Sequence, residues 1–147
     1  MPGRRRNSLE NRIRERIQRS PDAVFVRADF ADLERETSYD QVGRALRKLT
    51  AAGALIKAGY GLYVRSAISP FSGKVVPDIG LGAFKKLVAQ KLQLETEPTL
   101  AEQRYNADLS TQVPTGRVLR VKGRIQRRLV YNGTLLTYEY ARSSDAV

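Results

Sequence analysis

The stretch SYDQVGRALRKLTAAG, residues 38–53, followed at once by ALIKAGYGLYVR, residues 54–65, decides how this chain is read. Ser38 and Gln41 stand at capping-box spacing, where a serine hydroxyl and a glutamine side chain satisfy each other's orphan amides at a helix start. From there Val42, Ala45, Leu46 and Leu49 repeat at helical spacing, and Gly53 supplies a stop. The other face carries Tyr39, Gln41, Arg44, Arg47 and Lys48, a row of hydrogen-bond donors. Beyond Gly53, the runs Leu55–Ala58 and Leu62–Arg65 flank Gly59-Tyr60-Gly61, which predicts a β-hairpin.

Working upstream, Ser8 is expected to cap a helix to about Arg19, with Leu9, Ile13 and Ile17 on one stripe and Pro21 ending it. Val24-Phe25-Val26 predicts a short edge strand, and Phe30 and Leu33 a short helix over 28–33. Helix, short strand, short helix, capped basic helix and hairpin is the order of a winged helix-turn-helix, expected over residues 8–65. Residues 1–7, with Arg4, Arg5 and Arg6, are expected as a disordered basic arm.

Working downstream, residues 66–77 hold two prolines, a glycine and serines and are expected to be a linker. A C-terminal α/β lobe is then expected over 78–142, before a polar tail, 143–147. Asp78 is a candidate cap for a helix reaching about Leu94, its stripe made by Leu81, Phe84, Leu87, Val88 and Leu92. Thr99 and Glu102 form a second capping box. Residues 117–122 read as a strand. The runs 126–131 and 134–140 flank Asn132-Gly133, the strongest short hairpin signal. That register sets Leu129 opposite Leu136 and Arg127 opposite Tyr138. It gathers Ile125, Leu129, Tyr131, Leu136, Tyr138 and Tyr140 on one buried face. The expected class is α+β, a winged helix-turn-helix followed by a helix-plus-hairpin lobe.

The 26 Lys and Arg against 15 Asp and Glu leave a net charge of +11, which favours polyanionic partners. The surplus is segregated: residues 1–65 carry 14 basic and 8 acidic residues, 66–114 carry 5 of each, and 115–147 carry 7 basic and 2 acidic. Charge that follows folded segments predicts a nucleic-acid footprint. The absence of cysteine and histidine removes thiolate and imidazole chemistry. With no phosphate loop or GxSxG either, neither an enzyme, a metal nor a cofactor is expected. Apolar runs are too short for a membrane span and no signal-peptide pattern is present, so a cytoplasmic protein is expected.

In a helix-turn-helix, the N-terminal residues of the second helix meet base edges in the major groove. The candidate DNA-contacting set is therefore Ser38, Tyr39, Gln41, Arg44, Arg47 and Lys48, with Lys57 and Tyr60 near the wing tip, Arg27 before the second helix, and the Arg4–Arg6 arm. Arg117, Arg120, Lys122, Arg124, Arg127 and Arg128 are a candidate second basic surface. Basic sheets with exposed aromatics also bind single strands, so an RNA-binding accessory factor is one alternative. A protein-interaction module acting through the C-terminal lobe is the other.

The frame Ser8, Ile13, Ile17, Val24-Phe25, Asp29-Phe30, Leu33, Val42, Ala45-Leu46, Leu49, Gly53, Ile56 and Gly61-Leu62-Tyr63, with Leu109-Ser110-Thr111-Gln112-Val113-Pro114 and the hairpin after it, resembles AbiEi-type antitoxins of type IV toxin–antitoxin systems. The resemblance spans about residues 8–140. It implies an autorepressor that binds inverted repeats in duplex DNA as a homodimer or cooperative pair. It also implies a functional link to a nucleotidyltransferase-like toxin without a stable complex. Relatives with that frame continue into a longer helical C-terminal part, which this sequence does not show.

Overall fold

The computed structural model describes residues 8–112, 114, 116–123 and 125–141. The basic arm with Arg4, Arg5 and Arg6, the expected tail, and Arg124 of the second basic block lie outside the described residues. The chain is a mixed α+β protein that divides into two compact units, up to Ile79 and from Gly80 onward.

The first unit opens with α1 (Leu9–Arg19), whose Asn11 amide donates to the Ser8 hydroxyl at 3.2 Å. Strand β1 (Val24–Val26), a 3-10 turn (Arg27–Phe30), α2 (Ala31–Glu36) and α3 (Tyr39–Ala51) follow. The short helix expected over 28–33 is thus a 3-10 turn run into a helix that extends to Glu36. Asp29 explains the tight start, because its carboxylate accepts the Val26 amide at 2.8 Å. Strands β2 (Leu55–Gly59) and β3 (Leu62–Ile68) form the expected hairpin, with a bulge between Lys57 and Gly59. Strand β3 is central, with β1 and β2 antiparallel on either side.

Residues 66–77 are not the bare linker their prolines and serines predicted. Strand β3 runs on to Ile68, and β4 (Val75–Pro77) pairs with it antiparallel. Asp78 does not cap the next helix either. Its carboxylate accepts from Arg65 Nε at 2.8 Å, and Arg65 also donates to the carbonyls of Ile17 and Ser20 at 2.9 and 2.8 Å. One arginine thereby ties β3 to the carbonyl end of α1, where a cation is favoured.

The core of this unit gathers Ile13, Ile17, Phe25, Phe30, Leu33, Val42, Ala45, Leu46, Leu49, Leu55 and Tyr63, and α3 packs on α1 and β2. Each fully buried aliphatic or aromatic side chain contributes roughly 1.5–3 kcal/mol. Stability therefore comes chiefly from the stripes of α1 and α3, whose polar faces are left to solvent.

The second unit contains α4 (Leu81–Leu92), β5 (Thr96–Glu97), α5 (Leu100–Asn106), β6 (Val118–Lys122), β7 (Val130–Tyr131), β8 (Thr134–Leu135) and β9 (Thr137–Ala141). On α4 the buried positions are Phe84, Val88 and Ala89, while Leu81, Leu87 and Leu92 are half-buried. The Thr99–Glu102 capping box forms in both directions, with bonds of 3.0 and 3.1 Å. Burial works to raise the Glu102 pKa, but hydrogen bonds from the Thr99 amide and hydroxyl, with the charge of Lys85, together outweigh it and hold the carboxyl below its ordinary value.

Asn132 and Gly133 both take positive φ, 49° and 81°, as a two-residue turn of the twisted hairpin type requires. The Leu136 amide donates to the Leu129 carbonyl, as the expected register demands, and both side chains are buried. The long antiparallel hairpin stops there. Instead of staying with 126–128, Thr137–Ala141 leaves to pair in parallel with Val118–Lys122. Tyr138 and Tyr140 consequently leave the core face: Tyr138 is half-buried and Tyr140 is 47% exposed. Their hydroxyls donate to the carbonyls of Arg127 and Ile125 at 2.6 and 3.0 Å. Burial pushes the Tyr138 phenol up to about 12.

Candidate nucleic-acid interface

The cap at Ser38 sets the start of α3, because its hydroxyl accepts the Gln41 amide at 3.0 Å. A helix begun at that point turns Val42, Ala45, Leu46 and Leu49 inward. Tyr39, Asp40, Gln41, Arg44, Arg47 and Lys48 are then all exposed. Lys57 is exposed on β2, and Tyr60 at the β2–β3 turn is 78% exposed.

Ion pairing sharpens the picture. Arg12, Arg14, Arg16, Arg27 and Arg65 pair with Glu36, Glu10, Asp32, Glu34 and Asp78. Arg44, Arg47, Lys48 and Lys57 have no carboxylate partner among the described residues. Among these residues the acidic groups thus offset most cations of α1, the 3-10 turn and β3, while Arg19 and Arg35 stay unpaired singly and the unpaired cations of α3 and β2 stand together. Unpaired guanidinium and ammonium groups keep their donors available to a phosphate or a base edge.

Two expected contact residues have other roles. Arg27 is not a free cation: its side chain is only 19% exposed and pairs with Glu34 at 2.9 Å. Its Nη2 also donates to the Tyr39 carbonyl at 2.7 Å, and its guanidinium lies 3.6 Å from the centre of the Tyr39 ring. Arg120 is buried, at 2% exposure, and cannot belong to a basic surface. It pairs with Glu97 at 2.6 Å and Glu139 at 2.9 Å, because its position on β6 lies between β5 and β9.

Of the rest of that second basic block, Arg117, Lys122 and Arg128 are exposed and Arg127 is half-buried. A cleft of about 780 Å³ in the second unit runs along α4 and β5 and mixes Lys85 and Lys86 with Glu95, Glu97 and Glu102.

Sequence reasoning missed Asp40 and Gly43. Asp40 is exposed beside Gln41, but an acid in a helix's first turn reads as a dipole partner. Gly43 reads as a weak point in a helix. In the fold a β-carbon there would come within 3.2 Å of Arg27 Nη1, so the missing side chain makes room for the guanidinium. No signal in the sequence paired Arg27 with Gly43.

No group of His, Cys, Asp or Glu among the described residues is arranged to hold a metal ion. No helix among them is long and apolar enough to cross a membrane. No protein-family model, curated protein or solved structure matches the chain.

Proposed function

We propose that the first unit is a winged helix-turn-helix that binds duplex DNA, with α2 and α3 as the helix pair and the β2–β3 hairpin as the wing. The observation that carries this reading is the exposed, unpaired cation row of α3 beside an exposed hairpin turn. Arg44 and Arg47 suit guanine O6 and N7, Gln41 suits adenine, and Asp40 can accept from cytosine N4. Lys48 neutralises phosphate, which positions the protein without specifying sequence. Lys57 and Tyr60 reach the flanking backbone or minor groove.

Each bidentate base contact contributes roughly 1–3 kcal/mol of discrimination. A selection from random duplexes followed by titration at several salt concentrations tests this. Affinity is expected to fall steeply with salt as counterions are released. Arg44→Ala with Arg47→Ala is expected to erase the preference for the selected sequence. A flat salt response, or an unchanged preference in the double variant, would overturn the assignment.

The resemblance to AbiEi-type antitoxins extends the reading to a cytoplasmic repressor of its own promoter that binds inverted repeats as a pair. A gene for a nucleotidyltransferase-like toxin beside its own would support the antitoxin role. RNA binding by the second unit is less favoured, because Arg120 is buried and paired with two carboxylates and so is lost to the basic surface. RNA that displaced duplex DNA at equal nucleotide concentration would reverse that order.

A further inference from the structure

Arg27 touches α2 and the first turn of α3 and passes beside the β2–β3 turn, with its side chain mostly buried. Its Nε and Nη2 hold Glu34 of α2 at 3.1 and 2.9 Å. Nη2 also holds the carbonyl of Tyr39, the first residue of α3, while the guanidinium plane covers the Tyr39 ring. The far end of the group occupies the space left by Gly43, one turn into α3. The stem of the side chain passes beneath the β2–β3 turn, where a β-carbon on Gly61 would meet Arg27 Cγ at 3.6 Å. One side chain therefore spans α2, the opening turn of α3 and the wing turn.

We propose that Arg27 is a positioning residue for duplex recognition, holding the base-reading end of α3 at a set distance from the wing and pinning Tyr39 in place. The proposal rests on the duplex-binding reading above. The chemistry suits the task. A planar guanidinium can satisfy a carboxylate edge-on, donate to a carbonyl in the same plane and stack on a ring at once. A lysine has the charge but not the fork. The glycine at 43 completes the arrangement, since any side chain there would press on the guanidinium.

The test compares Arg27→Ala, Arg27→Lys and Lys48→Ala in the full chain, with two readouts. The first is affinity for the selected duplex over a range of salt. Both Arg27 variants are expected to weaken binding about tenfold, the loss of most of one bidentate base contact. The slope of log affinity against log salt should stay at the wild-type value for both, because Arg27 releases no counterion. Lys48→Ala should lower that slope by about 0.9, the share of one phosphate. Wild-type affinity in Arg27→Lys, or a slope lowered by about 0.9 in Arg27→Ala, would overturn the proposal.

The second readout is amide hydrogen exchange in the free protein. Exchange at Val42 and Gly43 is expected to quicken in both Arg27 variants while Ile13 and Ile17 keep their protection. Unchanged exchange at Val42 and Gly43 would also overturn it. A wild-type chain with no duplex affinity would defeat the duplex reading, and the exchange rates would still judge the clamp on its own.

Discussion

Arg16 reaches Asp32 with both terminal nitrogens, each 2.7 Å from a carboxylate oxygen, and also donates to the Asp29 carbonyl. The Arg16 hydrogen bonds hold the Asp32 carboxyl well below the usual carboxylate range, against some desolvation. The link to stability has a definite sign. A carboxyl whose folded pKa is depressed stabilises the fold above its unfolded value, near 4, and loses that contribution as pH falls through the folded value. Both side chains are more than a third exposed, at 36% and 47%, so solvent screening limits the pair to about 1 kcal/mol or less at neutral pH. Asp32→Asn is expected to lower stability by that amount at pH 7 and to flatten its decline below about pH 4. Urea unfolding of both proteins from pH 7 to pH 3 checks it; parallel curves would show that the pair contributes nothing acid-sensitive.

Among elements, α3 was the most legible from sequence and β9 the least. Helix α3 announces itself because its cap, stripe and glycine stop are all local, lying within residues 38–53. The same holds for the β2–β3 hairpin and the Thr99–Glu102 box. Strand β9 has the alternation of a hairpin arm, but its partner β6 lies on the far side of residues 123–136, and alternation does not encode which strand a strand will join. Arg120 misled for the same reason, since its burial depends on two carboxylates contributed by β5 and β9. Position Ser38 bears a prediction at this scale. Ser38→Ala should destabilise the protein by about 1 kcal/mol, the usual cost of losing an N-cap. Ser38→Asp should restore stability, because aspartate caps equally well, yet weaken duplex binding by placing a negative charge beside the phosphates. Thermal melts paired with duplex titrations separate the two effects. Equal affinity in Ser38→Asp and wild type would remove position 38 from the interface.

For the molecule as a whole, the two units carry their charge differently. In the first, ion pairs lie at the surface and leave the cations of α3 unpaired; in the second, a buried cation sits at the centre of the three-stranded sheet. Removing one partner from a buried ion cluster leaves uncompensated charge and costs about 3–5 kcal/mol. Arg120→Ala strands two carboxylates, and Glu139 also accepts the Leu100 amide at the start of α5. That variant is expected to lose the dispersed amide resonances of the second unit while those of Ile13, Leu46 and Val64 keep their positions. A single loss of all resonances together would show instead that the units unfold as one. Among the described residues no buried side-chain polar atom lacks a hydrogen-bond partner, so no unpartnered group is left to blur that result.

The Arg27 clamp also leaves a written trace. Its parts fall at fixed intervals along the chain, arginine, then glutamate after six residues, tyrosine after four more, and glycine after three, with a second glycine at the turn, Gly61. Because each interval is set by a contact and not by general likeness, the string Arg-x6-Glu-x4-Tyr-x3-Gly is a search pattern that can trace descent where overall similarity has worn away. If the proposed duplex reading holds, chains that keep the spacing while exchanging the residues at positions 40, 41, 44 and 47 carry the same clamp with a different base preference.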